Sequence, residues 1–299
     1  MDVVKAKADL LRGLHHGDEL LVLPNTWDCM SARVFEDCGF PAIATTSAGI
    51  AWAFGYPDGE GLGRDEMAEA TARIAGAVSV PVTADAEAGY GATPDAASET
   101  AVAVIRAGAV GLNLEDPLDT EPPGSVDSFG NGDASELVEP EEQSERIRAA
   151  VEAGRVTGVP LVVNARTDVY WREVGHPDER FAETVRRGRA YLEAGAECVF
   201  VPGVKDLDTI AALVREIPGP LNMLAGLGSP SVAELARLGV RRVSVGSGPA
   251  RAAMGLTRRI GRELQLSGTY SSLGGDALPY AEANALFEGD NRAEPPGGS

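Results

Sequence analysis

Histidine and cysteine are scarce in this 299-residue chain, with three of each. Cys29, Cys38 and Cys198 form no CxxC pair, and an odd number does not build a disulfide framework. His15 and His16 lie together near the N-terminus and only His176 stands further along, so a zinc site is not expected. Aromatic residues make up 5%, which suits closely packed helix–sheet layers better than an aromatic groove. Positive charge is also short: 26 Lys and Arg against 45 Asp and Glu leave a formal charge of −19. Such a charge repels a phosphate backbone, which argues against a nucleic-acid partner. No apolar run reaches the about 20 residues that a membrane helix needs. The opening MDVVKAKADLLRGL reads as a mixed-charge helix rather than a signal peptide. The expectation is a cytoplasmic protein with no membrane partner.

What the chain does have is a regular alternation. Short apolar runs at Glu19–Leu23, Ala42–Thr46, Val82–Asp85, Gly111–Glu115, Leu161–Arg166, Cys198–Val201, Leu221–Leu224 and Arg242–Val245 read as strands. Each is followed by a helical pattern, at about 29–37, 64–78, 94–107, 140–154, 178–194, 206–216, 231–238 and 249–264. Even-numbered strands are entered through a glycine after the preceding helix, Gly39, Gly108, Gly195 and Gly239, which permits a left-handed cap. Strands three, five and seven are entered through proline, in VPVTAD, VPLVVNA and GPLNML, which stops a helix and sets an extended entry. Eight such units predict an α/β fold, a closed (β/α)₈ TIM barrel. The rival, an open doubly wound sheet, would carry a glycine-rich turn after its first strand, and LVLPNTWD is not one. An extra N-terminal helix precedes the barrel and a C-terminal helical extension with ALPYAEANALF follows it. Residues 1–285 read as one domain and 286–299 as a disordered tail.

Barrel enzymes carry their chemistry at the C-terminal ends of the strands. Collected there are Ser47 and Gly49, Asp58 within GYPDGEG, Asp85 and Glu87, the run Asn113-Leu114-Glu115-Asp116, and Asn164 through Asp168. Carboxylates from three strands meet one arginine, a surplus that a hard divalent cation relieves. Oxygen ligands with retained waters suit Mg²⁺, with Mn²⁺ as a substitute. Strand alternation would aim Asp85 and Glu87 to one side. For Asp58 a turn role competes evenly with a functional one, and for Asp116 before proline a turn is the expected role. Arg166 either neutralises the acids or grips a substrate carboxylate bidentately, the second being favoured. The long connection 116–139 reads as a lid above this site.

Six runs in order, TTSAGIAWAFGYPDG, TADAEAGYG, NLEDP, NARTD, FVPG and GPLNMLAG, resemble the isocitrate lyase / phosphoenolpyruvate mutase superfamily. The resemblance spans roughly 21–252, with a fainter match in the C-terminal extension. It implies Mg²⁺ held by Asp85, with waters linking Asp58, Glu87 and Glu115. The family's usual DxDxGYG has Asp where this chain has Glu87, one methylene longer. It also implies that Arg166 grips a carboxylate and that Thr46, Ser47, Ala48 and Gly49, with Asp85 and Asn113, contact the substrate. Arg166, Glu115 and Asp58 are then the catalytic candidates. Homo-oligomers, dimers or tetramers with a swapped C-terminal helix, are implied as well. The shared chemistry is a pyruvate-like enolate neutralised by the metal.

One departure narrows the reaction. Isocitrate-type lyases carry K-x-C-G on the lid and phosphonate mutases a lysine and an asparagine. Here those places fall on Glu121 and Pro123, and no Cys, Lys or His occurs in 116–139. The leading expectation is a Mg²⁺-dependent lyase that cleaves a C–C bond of a small 2-oxo or 2-hydroxy carboxylate, with a proton from water, Glu121 or Asp127. The alternatives are a phosphonate P–C enzyme and a non-catalytic barrel that binds a carboxylate or a metal.

Overall fold

The computed structural model describes residues 2–118, 137–275 and 277–288. Its strands are β1 (Leu21–Leu23), β2 (Asn25–Thr26), β3 (Ile43–Thr45), β4 (Val82–Asp85), β5 (Gly111–Leu114), β6 (Val162–Arg166), β7 (Cys198–Val201), β8 (Leu221–Leu224) and β9 (Arg242–Ser244). All pair in parallel in the order β1-β9-β8-β7-β6-β5-β4-β3-β2. The first expected strand, Glu19–Leu23, forms β1, and an unexpected short strand, β2, follows it beyond Pro24, which has no N–H for the ladder. Its carbonyl still accepts Ala44 N at 2.9 Å, and with β1 on β9 and β2 on β3 the ring closes across this proline. The result is an α/β barrel of the TIM type.

The helices are α1 (Asp2–His16), α2 (Cys29–Asp37), α3 (Ser47–Phe54), α4 (Arg64–Ala77), α5 (Pro94–Arg106), α6 (Pro140–Thr157), α7 (Pro177–Glu193), α8 (Leu207–Glu216), α9 (Val232–Leu238), α10 (Gly248–Leu266) and α11 (Tyr280–Ala285). Local chemistry sets their starts: Asp28 accepts Ser31 N at 2.7 Å to cap α2, and Thr93 caps α5 ahead of Pro94 at its first turn. Gly39, Gly108, Gly195 and Gly239 all have φ between 85° and 102°, the left-handed caps expected before the even strands. One helix departs from the expected pattern. The segment SAGIAWAF forms α3, buried through its first five residues and apolar all round, so it shows no amphipathic period.

Outward-facing Ile43, Ala84, Leu112, Val163 and Ala165 pack beneath α4, α5 and α6 in the largest core. Each fully buried Leu or Ile there contributes roughly 1.5–3 kcal/mol of transfer free energy. Helix α1 closes the N-terminal end of the barrel, placing Ala8 and Leu11 against Leu21, Ala42, Val110 and Val162. A Cβ on Gly111 would lie 2.9 Å from Leu11 Cδ2, so glycine lets the plug seat. The C-terminal extension is different. Of the nineteen residues of α10 only Ala250 is buried, and Met254, Leu256, Leu264, Leu266, Tyr270 and Tyr280 are exposed. No helix of the described residues is long and apolar enough to cross a membrane. Residues 119–136, with Glu121, Pro123 and Asp127 of the expected lid, and residues 289–299 of the expected tail lie outside the described residues.

Candidate active site

Asp85 ends β4 and is held from two sides. Its Oδ2 accepts Ser47 N at 3.0 Å and Ser47 Oγ at 2.9 Å, and its Oδ1 accepts Asn113 Nδ2 at 3.1 Å. Ser47 is the first residue of α3, so its amide is one of the unpaired donors of a helix N-terminus. Thr46 caps the same turn, accepting Gly49 N at 3.4 Å. Gly49 has no room for a side chain, since a Cβ there would lie 2.7 Å from Thr46 Cγ2 and 2.8 Å from Trp27 Cβ. Thr46, Ser47, Ala48 and Gly49 thus come together as the buried first turn of α3 beside Asp85, not as a loop.

Asn113 lies beneath Asp85 and is buried. Its Oδ1 accepts Asn164 Nδ2 at 2.8 Å and Arg242 Nη2 at 3.3 Å, which leaves Nδ2 to face Asp85. Behind it, Arg242 is fully buried, and Arg242 Nη1 lies 3.4 Å from His15 Nε2. His15 Nδ1 is 2.8 Å from the Leu11 carbonyl, so Nδ1 carries the hydrogen and Nε2 accepts from the arginine. Burial and the Arg242 charge push His15 down to about 4, consistent with a neutral ring. Burial likewise lowers Arg242 to about 10, which keeps it charged.

Four acids share the mouth. Asp58 is on the exposed rim, yet its inner side is crowded enough that desolvation, then the Asp85 charge, raises it against the pull of Arg166. Burial, Asp85 and Asp58 push Glu87 up to about 8. Burial also raises Glu115 well above the usual carboxylate range, with Arg166 opposing and Asp168, Asp85 and Glu87 adding to the rise. The expected reason for pairing Asp85 with Glu87 does not hold. The strand ends at Asp85, and Glu87 sits at φ 48° in the left-handed region, so a turn and not strand alternation sets its direction. Its Oε2 accepts the amide of Glu60, on the loop that carries Asp58.

Arg166 ends β6. Nε and Nη2 bind Asp168 Oδ1 and Oδ2 at 2.5 and 3.0 Å, and Nη1 binds Glu115 Oε1 at 2.6 Å. Burial works against its charge, but Asp168 and Glu115 outweigh it and tighten the proton. The neutralising contacts are therefore present, and two of its five N–H groups are left for a substrate carboxylate. Asp116, expected in a turn, is instead fully buried. It accepts Tyr191 Oη at 2.7 Å, Arg187 Nη1 at 3.1 Å and Asp168 N at 2.9 Å. Asp116 and Arg242 take roles that the sequence does not disclose, because each depends on a partner 52 or more positions away.

Among the described residues, no three acid, histidine or cysteine side chains close into a ready ligand shell. Mg²⁺ does not require one, because it keeps several waters and takes one or two carboxylates directly. Asp58, Glu87 and Glu115, each raised by burial and by the Asp85 charge around one arginine, are with Asp85 a donor set that fits a hard divalent ion.

The chain from residue 11 to 265 matches the model of the phosphoenolpyruvate phosphomutase family. It is 34% identical over 280 residues to an uncharacterized protein of Mycobacterium tuberculosis, covering 93% of this chain and 96% of that one. It is 32% identical over 223 residues to the oxaloacetate decarboxylase of Pseudomonas entomophila, covering 73% and 71%. Among solved structures, phosphonopyruvate hydrolase in complex with oxalate and Mg²⁺ superposes with a TM-score of 0.79 at 27% identity over 94% of each chain.

Proposed function

The chain belongs to the phosphoenolpyruvate phosphomutase family, enzymes of lyase and mutase type, and on that premise we propose that it is a Mg²⁺-dependent lyase that cleaves a C–C bond of a small 2-oxo or 2-hydroxy carboxylate. The observation that carries this reading is Asp85, fixed by the first turn of α3 and by Asn113 at the centre of an acid surplus. Asp85 would hold the ion directly, with Asp58 and Glu115 reaching it through water. The ion, when bound, supplies positive charge where the 2-oxo group becomes an oxyanion. Arg166, already oriented by Asp168, turns its two remaining N–H groups to the substrate carboxylate. The positive end of α3, at Thr46–Gly49, suits the substrate's other anionic end. Burial raises Asp58 and Glu115 toward the range in which an acid can pass a proton at neutral pH.

Resemblance to an oxaloacetate decarboxylase favours C–C cleavage. The solved phosphonopyruvate hydrolase keeps a P–C reaction as the second reading. Residues 116–139 hold no lysine or histidine to meet a phosphonyl dianion, which counts against it. The test is a panel of oxaloacetate, 2-methylisocitrate, isocitrate, 2,3-dimethylmalate, citramalate and phosphonopyruvate, with Mg²⁺ or EDTA. Asp85→Ala should lower kcat/KM by about a thousandfold, roughly 4 kcal/mol of transition-state stabilisation. Pyruvate release untouched by EDTA, or full activity in Asp85→Ala, refutes the metal reading. Turnover of phosphonopyruvate alone selects the second.

The exposed apolar residues of α10 and of the segment after it support a homo-oligomer, a dimer or tetramer, in which this extension is exchanged between subunits. Light scattering should give a multiple of the 31.1 kDa chain, and a monomer at all concentrations would sink that reading.

A further inference from the structure

Four residues other than glycine adopt left-handed φ among the described residues: Glu60 at 58°, Glu87 at 48°, Tyr90 at 55° and Glu173 at 54°. A non-glycine residue there costs free energy that its surroundings must offset. Three of the four lie on two neighbouring loops, 55–63 after α3 and 86–93 after β4, and they bind one another. Glu87 Oε2 accepts the Glu60 amide, and Glu60 Oε1 accepts the Tyr90 amide at 2.8 Å. Tyr90 Oη lies 3.5 Å from Glu87 Oε1, at the outer limit of a hydrogen bond.

The two loops are anchored differently, the 55–63 loop having Leu62 buried in the core at its far end. The 86–93 loop is tied from below: Arg146 Nη2 donates to the carbonyls of Ala88 and Gly91, the latter at 3.2 Å, and Thr100 Oγ1 donates to Gly89 O at 2.8 Å. Gly89 and Gly91 are packed too closely for side chains, with a Cβ on Gly89 only 2.9 Å from Leu114 Cδ1. The 55–63 loop is exposed from Gly55 through Gly59 and carries Asp58. Its side-chain ties to the other loop are the contacts through Glu60 and Glu87.

We propose that Glu87 is a positioning residue rather than an ion ligand: its carboxylate clasps the Glu60 amide, and Glu60 in return clasps Tyr90, so that the loop bearing Asp58 is set against Asp85. The length of the side chain is what makes the clasp. Removing one methylene withdraws the carboxylate by about 1.5 Å, beyond reach of an amide on the other loop. An aspartate at this position would instead be left facing the acids of the mouth.

The clasp and an ion-ligand role order two conservative variants oppositely. Glu87→Gln keeps the length and an acceptor oxygen but loses the charge, whereas Glu87→Asp keeps the charge and loses the length. For the clasp, hydrogen-exchange mass spectrometry of the full chain should show peptides covering 55–62 and 86–92 protected in Glu87→Gln within about threefold of wild type. The same peptides should exchange at least about tenfold faster in Glu87→Asp, with KM raised more than kcat is lowered. Mn²⁺ affinity by electron paramagnetic resonance should be weaker in Glu87→Asp than in Glu87→Gln. The reverse order of Mn²⁺ affinity, equal exchange in the two variants, or unprotected 55–62 amides in wild type overturns the proposal. The proposal rests on Asp85 as the centre of the site only for KM and Mn²⁺. The exchange measurement stands whether or not the chain proves to be a Mg²⁺ lyase, so the two readings can fail separately.

Discussion

Glu115 and Asp116 are adjacent, both buried carboxylates at the end of β5, and they have opposite surroundings. Asp116 turns behind the barrel wall to Arg187 and Tyr191 of α7, and its oxygens also take the Asp168 amide. Arg187 goes on to the Val138 carbonyl at 2.7 Å, and Val138 N returns to Asp116 O at 2.9 Å. Pro117 and Leu137 bridge beside them, so one ion pair fastens both ends of the 116–139 connection. Glu115 turns into the mouth, where it shares Arg166 with Asp168 and faces Asp85 and Glu87. The first group matches its donors to its acceptors, and the second has more acid than cation. Closure marks a structural cluster, and surplus marks a place where a ligand completes the charge.

The largest effect that could break this contrast is in Asp116. Asp116→Ala leaves Arg187 buried with Glu183, the Tyr191 hydroxyl and a carbonyl, and a buried pair broken on one side costs about 3–5 kcal/mol. Urea unfolding should show that loss, while Mn²⁺ affinity stays within about twofold of wild type because no ligand is touched. Loss of metal affinity with stability unchanged would mean that the two clusters are one.

The barrel is legible in the sequence because its signals are local. Val82–Asp85, Cys198–Val201 and Leu221–Leu224 have the expected bounds, and the glycines before the even strands take the left-handed φ that their position after a helix demands. The acids at the strand ends are legible by position, since the fold places strand C-termini around one mouth. Partnership is not legible. Asp116 reads as a turn residue before proline because its partners, Arg187 and Tyr191, are 71 and 75 positions away. Arg242 in RRVSV resembles any strand-edge charge until the closed ring aims it inward at Asn113. Helix α3 escapes because an apolar composition on every side erases the period that reveals a helix. Glu87 has the expected place in the chain, but its direction does not follow from a strand that ends two residues earlier.

A smaller effect sharpens the same contrast through pH. Glu87 is raised to about 8, and Glu115 and Asp58 move in the same direction, so the folded protein without metal holds protons that the unfolded chain has released. Stability from these groups is full below their unfolded values and is lost as pH rises through the folded ones, so for Glu87 the window runs from about 4.5 to about 8. In EDTA, thermal or urea unfolding should therefore show stability falling between about pH 5 and pH 8. The fall should be on the order of 2 kcal/mol, since a tenfold change in proton affinity is worth about 1.4 kcal/mol and solvent at the open mouth screens part of the total. Mg²⁺ competes with those protons and binds the folded state, so in millimolar Mg²⁺ the fall should flatten. Asp116 is also raised by burial, but it belongs to the closed cluster, so its share of the slope should persist with Mg²⁺ present. An identical slope in EDTA and in Mg²⁺ would show that the surplus of acid at the mouth is not where a cation goes. It would leave the pairing around Asp116 as the only part of the contrast with a physical consequence.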